Sequence, residues 1–570
     1  MAVETIKAES QYLRGSIGDE LVDGAEFGAE STVLLKFHGI YQQDDRDVRR
    51  SRTQHKLPLD YSCMVRTSVP GGVITLEQWL ALDRLAELAD GAMRLTTRQG
   101  VQYHFVPKGQ LHDVVGGINA SLLTTLAACG DVVRNVMACP LPHADRRAVL
   151  APVVAELVRR FRPRTPSYWE LWVDGERAVT AEAPPAEGPV EPLYGESYLP
   201  RKFKIGIAWP GDNCVDIHSH DVGVVPTLSE GLTGELTGFV VLAGGGMGMS
   251  HSRPDDTYPV LGRPVAWVPP GDVADVVEAI VATQRDFGNR DDRHRARLKY
   301  TLEERGIEWL RAEIETRIGR AVAQPIELLP WTLDAHHGWD HDTLGLPVPS
   351  GRIAGNHRDA LREVVRSGLV SEIRVTPRQD LLLCGVNDRD ALLTMLRRHE
   401  VALPDEVSPL RRLAIACPAL PTCGQALGEA ERVLPAVIDE LEKLLADTGN
   451  EGQAIRLNMT GCPNGCSRPY SAEIGIVGRT KKTYDLYLGG SAGGDRLAQR
   501  VRADIPLDEL TAHLRPLLER FAADGLDDDA LEFGDWCHAQ GVTTLETWLP
   551  APAVRRRGRA AASDDIGIAS

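Results

Sequence analysis

Apolar residues follow two different spacings along this chain, one typical of amphipathic helices and one typical of β-strands. Helical spacing recurs at residues 76–88, 273–285, 302–318 and 357–367. Short apolar runs that favour strands occupy residues 101–106 and 381–386. Because helical and strand-like segments occur in both halves of the chain, the pattern predicts an α+β, or mixed α/β, fold.

A short motif occurs twice, each time beside such a helix and strand. Arg94-Leu-Thr-Thr-Arg-Gln99 returns 280 positions later as Arg374-Val-Thr-Pro-Arg-Gln379. A Pro-Gly or Pro-Ser-Gly turn and a helix precede each copy, and a strand-like run follows it, which gives the order strand, helix, strand, strand. The shared order predicts a duplicated unit with pseudo-twofold symmetry, and we expect its site to lie between the halves.

Two further regions accompany the repeats. Residues 140–335 contain a glycine cluster, Gly244-Gly-Gly-Met-Gly248, together with strand-like segments at 167–173, 204–209 and 239–242. The cluster lacks the strand, Gly-x-Gly-x-x-Gly and helix context of a dinucleotide site, so we predict no such site there. The second region, residues 410–550, places a helix (425–448) and a strand (455–459) between two pairs of cysteines.

The composition is that of an ordinary soluble protein, with 570 residues, 43% of them hydrophobic and 25% charged. No apolar run reaches the roughly 18 residues of a membrane span, so we expect no membrane partner. The N-terminal stretch MAVETIKAES carries acidic residues that targeting segments avoid, which indicates a cytoplasmic protein. The net charge of -17 argues against a nucleic-acid partner, and any anion site must therefore be local.

Ten cysteines are too few for a disulfide framework, but four of them form the pairs Cys417/Cys423 and Cys462/Cys466. Thiolates at such spacings can bind zinc or an iron–sulfur cluster, and two unrelated turns with buried cysteines are the third alternative. The cluster fits better, because zinc pairs usually have two to four intervening residues and Cys417 and Cys423 have five. The other cysteines are interpreted as structural thiols: Cys63, Cys129, Cys139, Cys214, Cys384 and Cys537.

Cations gather around the first copy of the motif. Only 10 of the 63 basic residues are lysines, so the pair Lys202 and Lys204 in Tyr-Leu-Pro-Arg-Lys-Phe-Lys is unusual. Strand alternation places both lysines on one face of an apolar segment, where paired buried cations need an anion. By the same alternation, the side chains of His104, Gln102 and Arg98 are expected on one face of the strand. The alternative for the lysines is a charged strand exposed to solvent. The alternative for His104 is a structural histidine that has its hydrogen-bond partners within the protein.

The segments Ala416-Cys-Pro-Ala-Leu-Pro-Thr-Cys423 and Thr460-Gly-Cys-Pro-Asn-Gly-Cys466 closely resemble the cluster motifs of the sulfite and nitrite reductases that couple siroheme to a 4Fe-4S cluster. Further segments across residues 4–545 resemble the assimilatory sulfite reductases of that family. Among them are Lys36-Phe-His-Gly-Ile-Tyr-Gln-Gln-Asp-Asp-Arg46 and Lys299-Tyr-Thr-Leu-Glu303. The resemblance implies siroheme and a 4Fe-4S cluster as cofactors, and ferredoxin-like repeats as the duplicated unit.

The resemblance also implies roles for individual residues. The expected cluster ligands are Cys417, Cys423, Cys462 and Cys466, of which Cys466 would also ligate the siroheme iron. The expected substrate-anion residues are Arg66, Arg134, Lys202 and Lys204. The expected siroheme-binding residues are Arg94, Thr96, Arg98, Gln99, Gln102, His104, Asn135 and Arg201. The second copy of the motif, with Arg374 and Arg378, is expected to be structural.

The implied activity is the six-electron reduction of sulfite to sulfide in assimilatory sulfur metabolism, with ferredoxin or an NADPH-dependent flavoprotein as external electron donor. The alternatives are a ferredoxin-type nitrite reductase that forms ammonia and a catalytically inactive cluster-binding relative. The expected domains are an N-terminal extended region (1–60), a first ferredoxin-like repeat (61–139), a first siroheme and substrate-anion domain (140–335), a second ferredoxin-like repeat (336–409), a 4Fe-4S and siroheme domain (410–550) and a flexible tail (551–570).

Overall fold

The computed structural model describes residues 2–22, 24, 26–165, 167, 190–524 and 531–551. Its helices are α1 (Val3–Glu9), α2 (Ile17–Glu20), α3 (Ala29–Leu34), α4 (Arg49–Gln54), α5 (Leu76–Leu85), α6 (Leu111–Ala120), α7 (Ala144–Phe161), α8 (Val273–Phe287), α9 (Leu298–Arg305), α10 (Ile307–Ile318), α11 (Gly355–Ser367), α12 (Arg389–Arg398), α13 (Pro409–Leu413), α14 (Leu434–Asp447), α15 (Leu510–Asp524), α16 (Phe533–Gln540) and α17 (Val542–Trp548). The strand predicted at 167–173 and the tail predicted at 551–570 lie outside the described residues, apart from Ser167 and Ala551.

The strands are β1 (Ile40–Asp44), β2 (Tyr61–Arg66), β3 (Val73–Ile74), β4 (Met93–Leu95), β5 (Val101–Val106), β6 (Met137–Ala138), β7 (Ile205–Ile207), β8 (Val222–Glu230), β9 (Thr233–Ala243), β10 (Arg263–Val268), β11 (Gly338–Asp340), β12 (Thr343–Leu346), β13 (Arg352–Ile353), β14 (Glu372–Val375), β15 (Leu381–Cys384), β16 (Ile415–Ala416), β17 (Leu457–Thr460), β18 (Ile474–Gly478), β19 (Thr483–Leu488) and β20 (Gln499–Pro506). They form four five-stranded sheets. Helices and strands are thus mixed throughout, which confirms the predicted fold class.

Two of the sheets hold the duplicated motif. The first has the order β1-β2-β5-β4-β13 and the second has the order β11-β12-β15-β14-β3. Each sheet ends in a short strand from the other copy, because β13 pairs with β4 and β3 pairs with β14. The predicted order is confirmed as β2-α5-β4-β5 in the first copy and β12-α11-β14-β15 in the second. This exchange of edge strands is the predicted pseudo-twofold relation.

The two copies meet at the glutamine that ends each motif. Gln99 donates from Nε2 to Val375 O at 3.0 Å, and Gln379 donates to Leu95 O at 3.3 Å. Gly72 lies against the first contact with a φ of +76°, and a Cβ there would lie 2.3 Å from Val375 O. Both glutamines are buried, so reciprocal hydrogen bonds fix the two copies to each other.

The other two sheets also share one topology. Sheet N (β6–β10) and sheet C (β16–β20) each begin with three parallel strands and continue with two antiparallel ones. Their hydrogen bonds correspond as well, since Cys139 N donates to Ile207 O at 3.0 Å and Cys417 N donates to Met459 O at 3.2 Å. The duplication therefore extends beyond the motif to these sheets.

Three predicted elements differ from the structure. The helix predicted at 302–318 is interrupted at Gly306, whose φ of +86° separates α9 from α10. The helix predicted at 425–448 begins only at Leu434, with Pro435 in its first turn, a position that suits proline. Residues 1–60, expected to be extended, contain α1–α4 and also β1, which joins the first sheet.

Buried apolar residues form two large groups. One group runs from Ile6 to Leu403 and includes the motif-bearing sheets and sheet N. The other runs from Leu410 to Leu549 and belongs to sheet C and its helices. Along the described part of the chain, no helix has the length and apolar character needed to cross a membrane.

Candidate functional site

The four paired cysteines lie at one edge of sheet C. Cys417 directly follows β16, and Cys462 and Cys466 lie in the turn after the parallel strand β17. Cys423 lies in the loop between β16 and α14. Because parallel strands end at the same edge, the two pairs are brought together, and the charges of all four thiols influence one another. This confirms that the helix and strand between the pairs return the second pair to the first.

The surroundings of these thiols suit a cluster better than a single ion. Gly461 N donates to Cys417 Sγ at 3.2 Å, and Asn464 Nδ2 lies 3.6 Å from Cys462 Sγ, as cluster sulfurs are commonly hydrogen-bonded. Burial, and next the charge of Cys466, raises the pKa of the Cys417 thiol to about 12, so its thiolate needs a bound cation. In the described chain, no three of the four sulfurs lie within 4.8 Å of one another, whereas the sulfur ligands of one zinc ion lie about 3.8 Å apart.

Cys466 is the exposed member of the group. Its carbonyl accepts a hydrogen bond from Thr97 Oγ1 at 3.1 Å. Arg468, two residues later, donates to Thr97 O at 3.2 Å and to Pro377 O at 2.9 Å. The turns of both motif copies therefore rest against the loop that carries Cys466. Sequence reasoning gave Arg468 no role, because nothing in its neighbourhood of the sequence points to the turns it contacts.

Arg134, Lys202 and Lys204 are brought together by backbone pairing. Phe203, between the two lysines, is buried and forms a parallel bridge with Val133. Arg134 N donates to Phe203 O at 2.9 Å. The lysines lie just before β7 rather than within it, but they flank Phe203 as the alternation predicts. The two side chains interact electrostatically, because the charge of Lys202 lowers the pKa of Lys204.

Burial gives these lysines unusual electrostatics. Burial and the charge of Arg134 lower the pKa of Lys202 to about 7, and burial and Lys202 itself lower the pKa of Lys204. The charge of Cys466 raises both pKa values, so the two lysines lie within electrostatic range of the exposed cysteine. An anion at this point would restore the charged state of both lysines.

The nearby carboxylates cannot supply that anion. Asp131 pairs with Arg293 at 2.8 Å, and Asp221 pairs with Arg297 at 2.8 Å. Among the described residues, no carboxylate oxygen lies within 4.0 Å of the following cations: Arg66, Arg134, Arg201, Lys202 and Lys204. Buried cations without a counter-charge are costly, so this geometry indicates a site for an external anion and disfavours the solvated-strand alternative.

A second group of donors lies on β2 and β5 of the first repeat. With its amide oxygen turned toward the guanidinium, Gln102 accepts a hydrogen bond from Arg66 Nε at 2.8 Å. His104 is buried, and neither ring nitrogen has a hydrogen-bond partner among the residues that the structure describes. Burial, together with the charges of Arg352 and Arg94, holds the pKa of His104 well below its usual range. A neutral imidazole without partners is available to a ligand, which disfavours the satisfied-histidine alternative.

Arg94 contacts sheet C instead of an open site. Its Nε pairs with Glu431 at 2.7 Å, and its Nη2 donates to Ala416 O at 2.8 Å. Glu431 also pairs with Arg352. A protein carboxylate already neutralises this arginine, and the expected contact of Arg94 with siroheme stays a prediction. Arg94 anchors the first repeat to the strand that leads into Cys417.

Four further residues expected to bind siroheme use their polar groups within the protein: Thr96, Arg98, Gln99 and Asn135. Thr96 Oγ1 accepts from the backbone nitrogens of Arg98 at 3.2 Å and of Gly100 at 3.0 Å. Arg98 Nη2 donates to Asn135 O and to Ile205 O, each at 2.8 Å. These bonds, with those of Gln99, shape the turn beside Cys466 and hold β7 in place. Their expected contacts with siroheme stay predictions.

The glycine cluster is a part of the site whose role sequence reasoning left open. It follows β9 and leads into the loop before β10. Lys299 Nζ donates to Gly246 O at 3.1 Å and to Gly248 O at 2.9 Å. Met249 N donates to Pro463 O at 2.9 Å, next to Cys462. The rarity of lysine in this chain is the signal that could have singled out Lys299.

Two family sequence models match this chain. The nitrite and sulphite reductase 4Fe-4S domain matches residues 129–322, and the nitrite/sulfite reductase ferredoxin-like half domain matches residues 58–121 and again residues 339–395. The double match coincides with the two copies of the motif. The 4Fe-4S domain match covers sheet N and its cations, while the four paired cysteines lie beyond it.

Full-length relatives share much of the sequence. The sulfite reductase (NADPH) hemoprotein beta-component of Paenibacillus sp. (strain JDR-2) is 42% identical over 560 residues, which is 96% of each chain. The protein of the same name from Myxococcus xanthus (strain DK1622) is 42% identical over 573 residues, or 97% of this chain and 98% of the other.

A solved structure shares the fold. The NirA protein of Mycobacterium tuberculosis superposes with a TM-score of 0.74 over 95% of both chains, at 23% sequence identity. The match spans both motif-bearing sheets as well as sheets N and C, so the duplicated architecture is common to both proteins.

Proposed function

The chain belongs to the nitrite and sulfite reductase family, and we propose that it catalyses the six-electron reduction of sulfite to sulfide at a siroheme coupled to a 4Fe-4S cluster. The observation that carries this proposal is the buried pair Lys202 and Lys204, which has no ion pair within the described chain and lies within electrostatic range of the exposed thiol of Cys466. The full-length relatives, which are named as sulfite reductase hemoproteins, support the choice of sulfite as substrate.

The residues present fit both cofactors. The cluster ligands would be Cys417, Cys423, Cys462 and Cys466. Because Cys466 is exposed beside the cations, it is also the thiol that we assign to the siroheme iron. The donors available to siroheme carboxylates are Gln102, His104 and Arg201, while Arg66 is kept as a substrate-anion residue. When bound, the two cofactors supply the electrons and the iron site, and the protein supplies position and electrostatics.

The chain itself acts on the substrate through charge and protons. Arg134, Lys202 and Lys204 offset the negative charge of sulfite and hold its oxygens at the sheet N side of the site. The departing oxygens leave as water, and each departure consumes protons. Lys202, with a pKa of about 7 before the anion binds, can hold or release a proton near neutral pH, as a general acid must.

Nitrite reduction is the alternative, because the family includes enzymes for both anions. We propose sulfite as the preferred substrate, and the test compares kcat/KM for sulfite and nitrite with reduced methyl viologen as donor, normalised to siroheme. A higher value for sulfite is expected. A higher value for nitrite would reassign the chain to the nitrite branch, and no turnover with either anion in a siroheme-loaded protein would favour an inactive relative.

For the electron donor, we infer an NADPH-dependent flavoprotein instead of ferredoxin, since the relatives named above are NADPH-type components. A basic surface lies close to the cluster loop, where Arg46 Nη1 donates to Cys423 O at 3.2 Å. It borders a cavity of about 310 Å³ lined in part by Arg49, Arg50 and Lys481. A basic surface beside the cluster suits an acidic donor domain.

The donor proposal is tested with Arg50→Glu, which reverses an exposed charge on this surface. We expect the variant to lose most of its turnover with NADPH and a sulfite reductase flavoprotein, and to keep its turnover with methyl viologen. Faster turnover with reduced ferredoxin than with the flavoprotein in the unmodified enzyme would contradict the inference.

A further inference from the structure

A second group of metal-ligating side chains lies in sheet N, apart from the four paired cysteines. Cys139 directly follows β6, Asp212 and Cys214 lie in the loop after β7, and His336 lies just before β11. All four side chains are buried, and one ligand atom from each lies within 4.8 Å of the others. Four separate points of the chain thus converge on one small volume.

The two cysteines occupy the places in sheet N that Cys417 and Cys466 occupy in sheet C. Cys139 N donates to Ile207 O, as Cys417 N donates to Met459 O. Counting from those two acceptors, Cys214 and Cys466 both lie seven residues later.

The residues two positions further, Asp216 and Arg468, both have left-handed backbone conformations, with φ of 50° and 57°. This agreement fixes the register between the two loops. In the same register Pro210 replaces Cys462, so sheet N keeps two of the thiol positions and cannot hold a four-thiolate cluster.

The other two side chains complete a different ligand set. Asp212 Oδ2 lies 3.5 Å from Cys139 Sγ and 3.4 Å from His336 Nε2. Within the described chain, His336 Nε2 is buried and makes no hydrogen bond, although it points at this group. On the other side of the ring, Nδ1 lies 3.5 Å from Asp334, the arrangement that orients a metal-binding histidine.

The guanidinium of Arg146, outside the group, offsets the negative charge of the group. Arg146 Nη1 donates to Asp212 Oδ2 at 2.8 Å and to Cys139 Sγ at 3.1 Å. Two thiolates and one carboxylate around a divalent cation leave one net negative charge, which this guanidinium offsets. An all-protein set of two sulfurs, one nitrogen and one oxygen matches the closed tetrahedral geometry of structural zinc.

We propose that Cys139, Asp212, Cys214 and His336 bind one zinc ion that has a structural role. Binding displaces two protons, one from the Cys214 thiol and one that Cys139 and His336 share, and involves no change of oxidation state. The ion would tie the end of the first repeat and the loop after β7 to the segment that leads into the second repeat. The single-thiol interpretation of Cys139 and Cys214 is replaced by this shared site.

The test measures zinc in the unmodified holoenzyme by mass spectrometry of the metals, together with X-ray absorption at the zinc edge. We expect about one zinc ion per chain, with sulfur at about 2.3 Å and nitrogen or oxygen at about 2.0 to 2.2 Å. Because the zinc edge is separate from that of iron, siroheme and the cluster do not interfere.

Cys214→Ser and His336→Gln should each lose most of the zinc, while siroheme and cluster spectra per folded chain are retained. Cys384→Ser, which alters another buried cysteine, is the matched control and should keep the zinc. Less than about a tenth of an ion per chain after growth with added zinc would overturn the proposal, as would a Cys139–Cys214 disulfide in the native protein. If the variants do not fold, the absorption spectrum of the unmodified enzyme decides, since a zinc ion without sulfur neighbours is equally incompatible with the site.

Discussion

Sheets N and C have the same topology but carry different parts of the site. Lys204 in sheet N corresponds in register to Arg456 in sheet C, and their backbone nitrogens donate to equivalent carboxylates, Asp221 and Glu473, at 2.9 Å and 2.8 Å. Arg456 is paired with Asp216 at 3.1 Å, whereas Lys204 has no ion pair within the described chain. One copy thus keeps its cation free for a ligand, and the other uses its cation to hold the two copies together.

The cysteines are distributed between the two sheets in the opposite way to the free cations. Sheet C has four thiols, one of them exposed toward the cations, and sheet N has two thiols enclosed with an aspartate and a histidine. A duplicated backbone therefore places side chains at matching positions, and the side chains that fill those positions decide which copy binds the substrate anion and which binds the cluster.

The largest effect should come from matched cysteine substitutions in the two sheets. Cys466→Ser should disrupt both cofactors and lower sulfite reduction by at least about a hundredfold, because even the loss of a group that merely orients a metal ligand costs 10- to 100-fold. Cys214→Ser should keep both cofactor spectra and most of the activity per siroheme. An unchanged haem spectrum and a normal cluster signal in Cys466→Ser would remove the bridging role from that residue.

Matched substitutions of the two corresponding cations should separate binding from stability. Lys204→Met, and likewise Lys202→Met, should lower kcat/KM for sulfite by about ten- to a hundredfold, the equivalent of a charge-assisted hydrogen bond, with cofactor content preserved. Arg456→Met should leave kcat/KM per siroheme nearly unchanged but destabilise the protein by about 1.5–3 kcal/mol, since it removes a buried charge-assisted hydrogen bond to Asp216, which keeps its pair with Arg468.

These two outcomes are read from methyl-viologen kinetics and from denaturant unfolding. Lys443→Met, at an exposed position, is the control and should change neither. Near-normal kcat/KM in both lysine variants would leave the anion to Arg66 and Arg134.

The two glutamines at the pseudo-twofold axis should differ in how much each contributes to the free energy of unfolding. Among the described residues, Gln99 Nε2 lies within hydrogen-bond distance of Gly71 O, Val375 O and Ala138 O and Gln99 Oε1 accepts from Ala138 N, while Gln379 makes one hydrogen bond and leaves its Oε1 without a partner. Gln99→Ala should therefore destabilise by about 2–3 kcal/mol and Gln379→Ala by about 1 kcal/mol. Equal losses in urea unfolding would show that the axis is energetically symmetric.

The last prediction concerns how the stability of the siroheme-free protein depends on pH. Lys202 has a folded-state pKa of about 7 against an ordinary value of 10.5, because burial and the charge of Arg134 disfavour its charged form. Between those two values the unfolded chain binds more protons, so stability should rise with pH. The melting temperature of the siroheme-free protein should therefore increase between about pH 7.5 and about pH 9.

Two variants and the loaded enzyme complete that experiment. Lys202→Met should weaken the pH dependence, whereas Lys443→Met should leave it as it is. Sulfite is the anion expected to stabilise the charged lysine, so the loaded enzyme with sulfite present should also show a weaker dependence. A slope that is identical in the siroheme-free protein and its Lys202→Met variant would contradict the burial of an uncompensated lysine.

The sequence predicts the repeats and the cysteine group well, because both depend on local patterns. The motif fixes the order of strands, and the spacing of apolar residues gives the β5 and α11 segments closely. Pairing across the molecule could not be predicted. The exchange of β3 and β13, the pair between Arg94 and Glu431, and the contact of Arg468 with both motif turns join residues that are far apart in the chain.

The same limit explains the second cysteine group. Cys139, Cys214 and His336 are each isolated in sequence, and only the register between sheets N and C reveals that two of them match cluster positions. Long-range placement therefore decides which polar residues bind a ligand and which only hold the chain in position.

The most direct test of the account follows sulfite, electrons and sulfide together in the purified, siroheme-loaded enzyme. Under anaerobic conditions with reduced methyl viologen, sulfide should appear as sulfite disappears, with six electrons consumed for each sulfide formed, and Lys204→Met should slow this conversion without changing cofactor content. Oxidation of the dye without sulfide, or sulfide formation that is unaffected in both the Lys202→Met and Lys204→Met variants, would contradict a site in which the cations of sheet N hold sulfite beside Cys466 of sheet C.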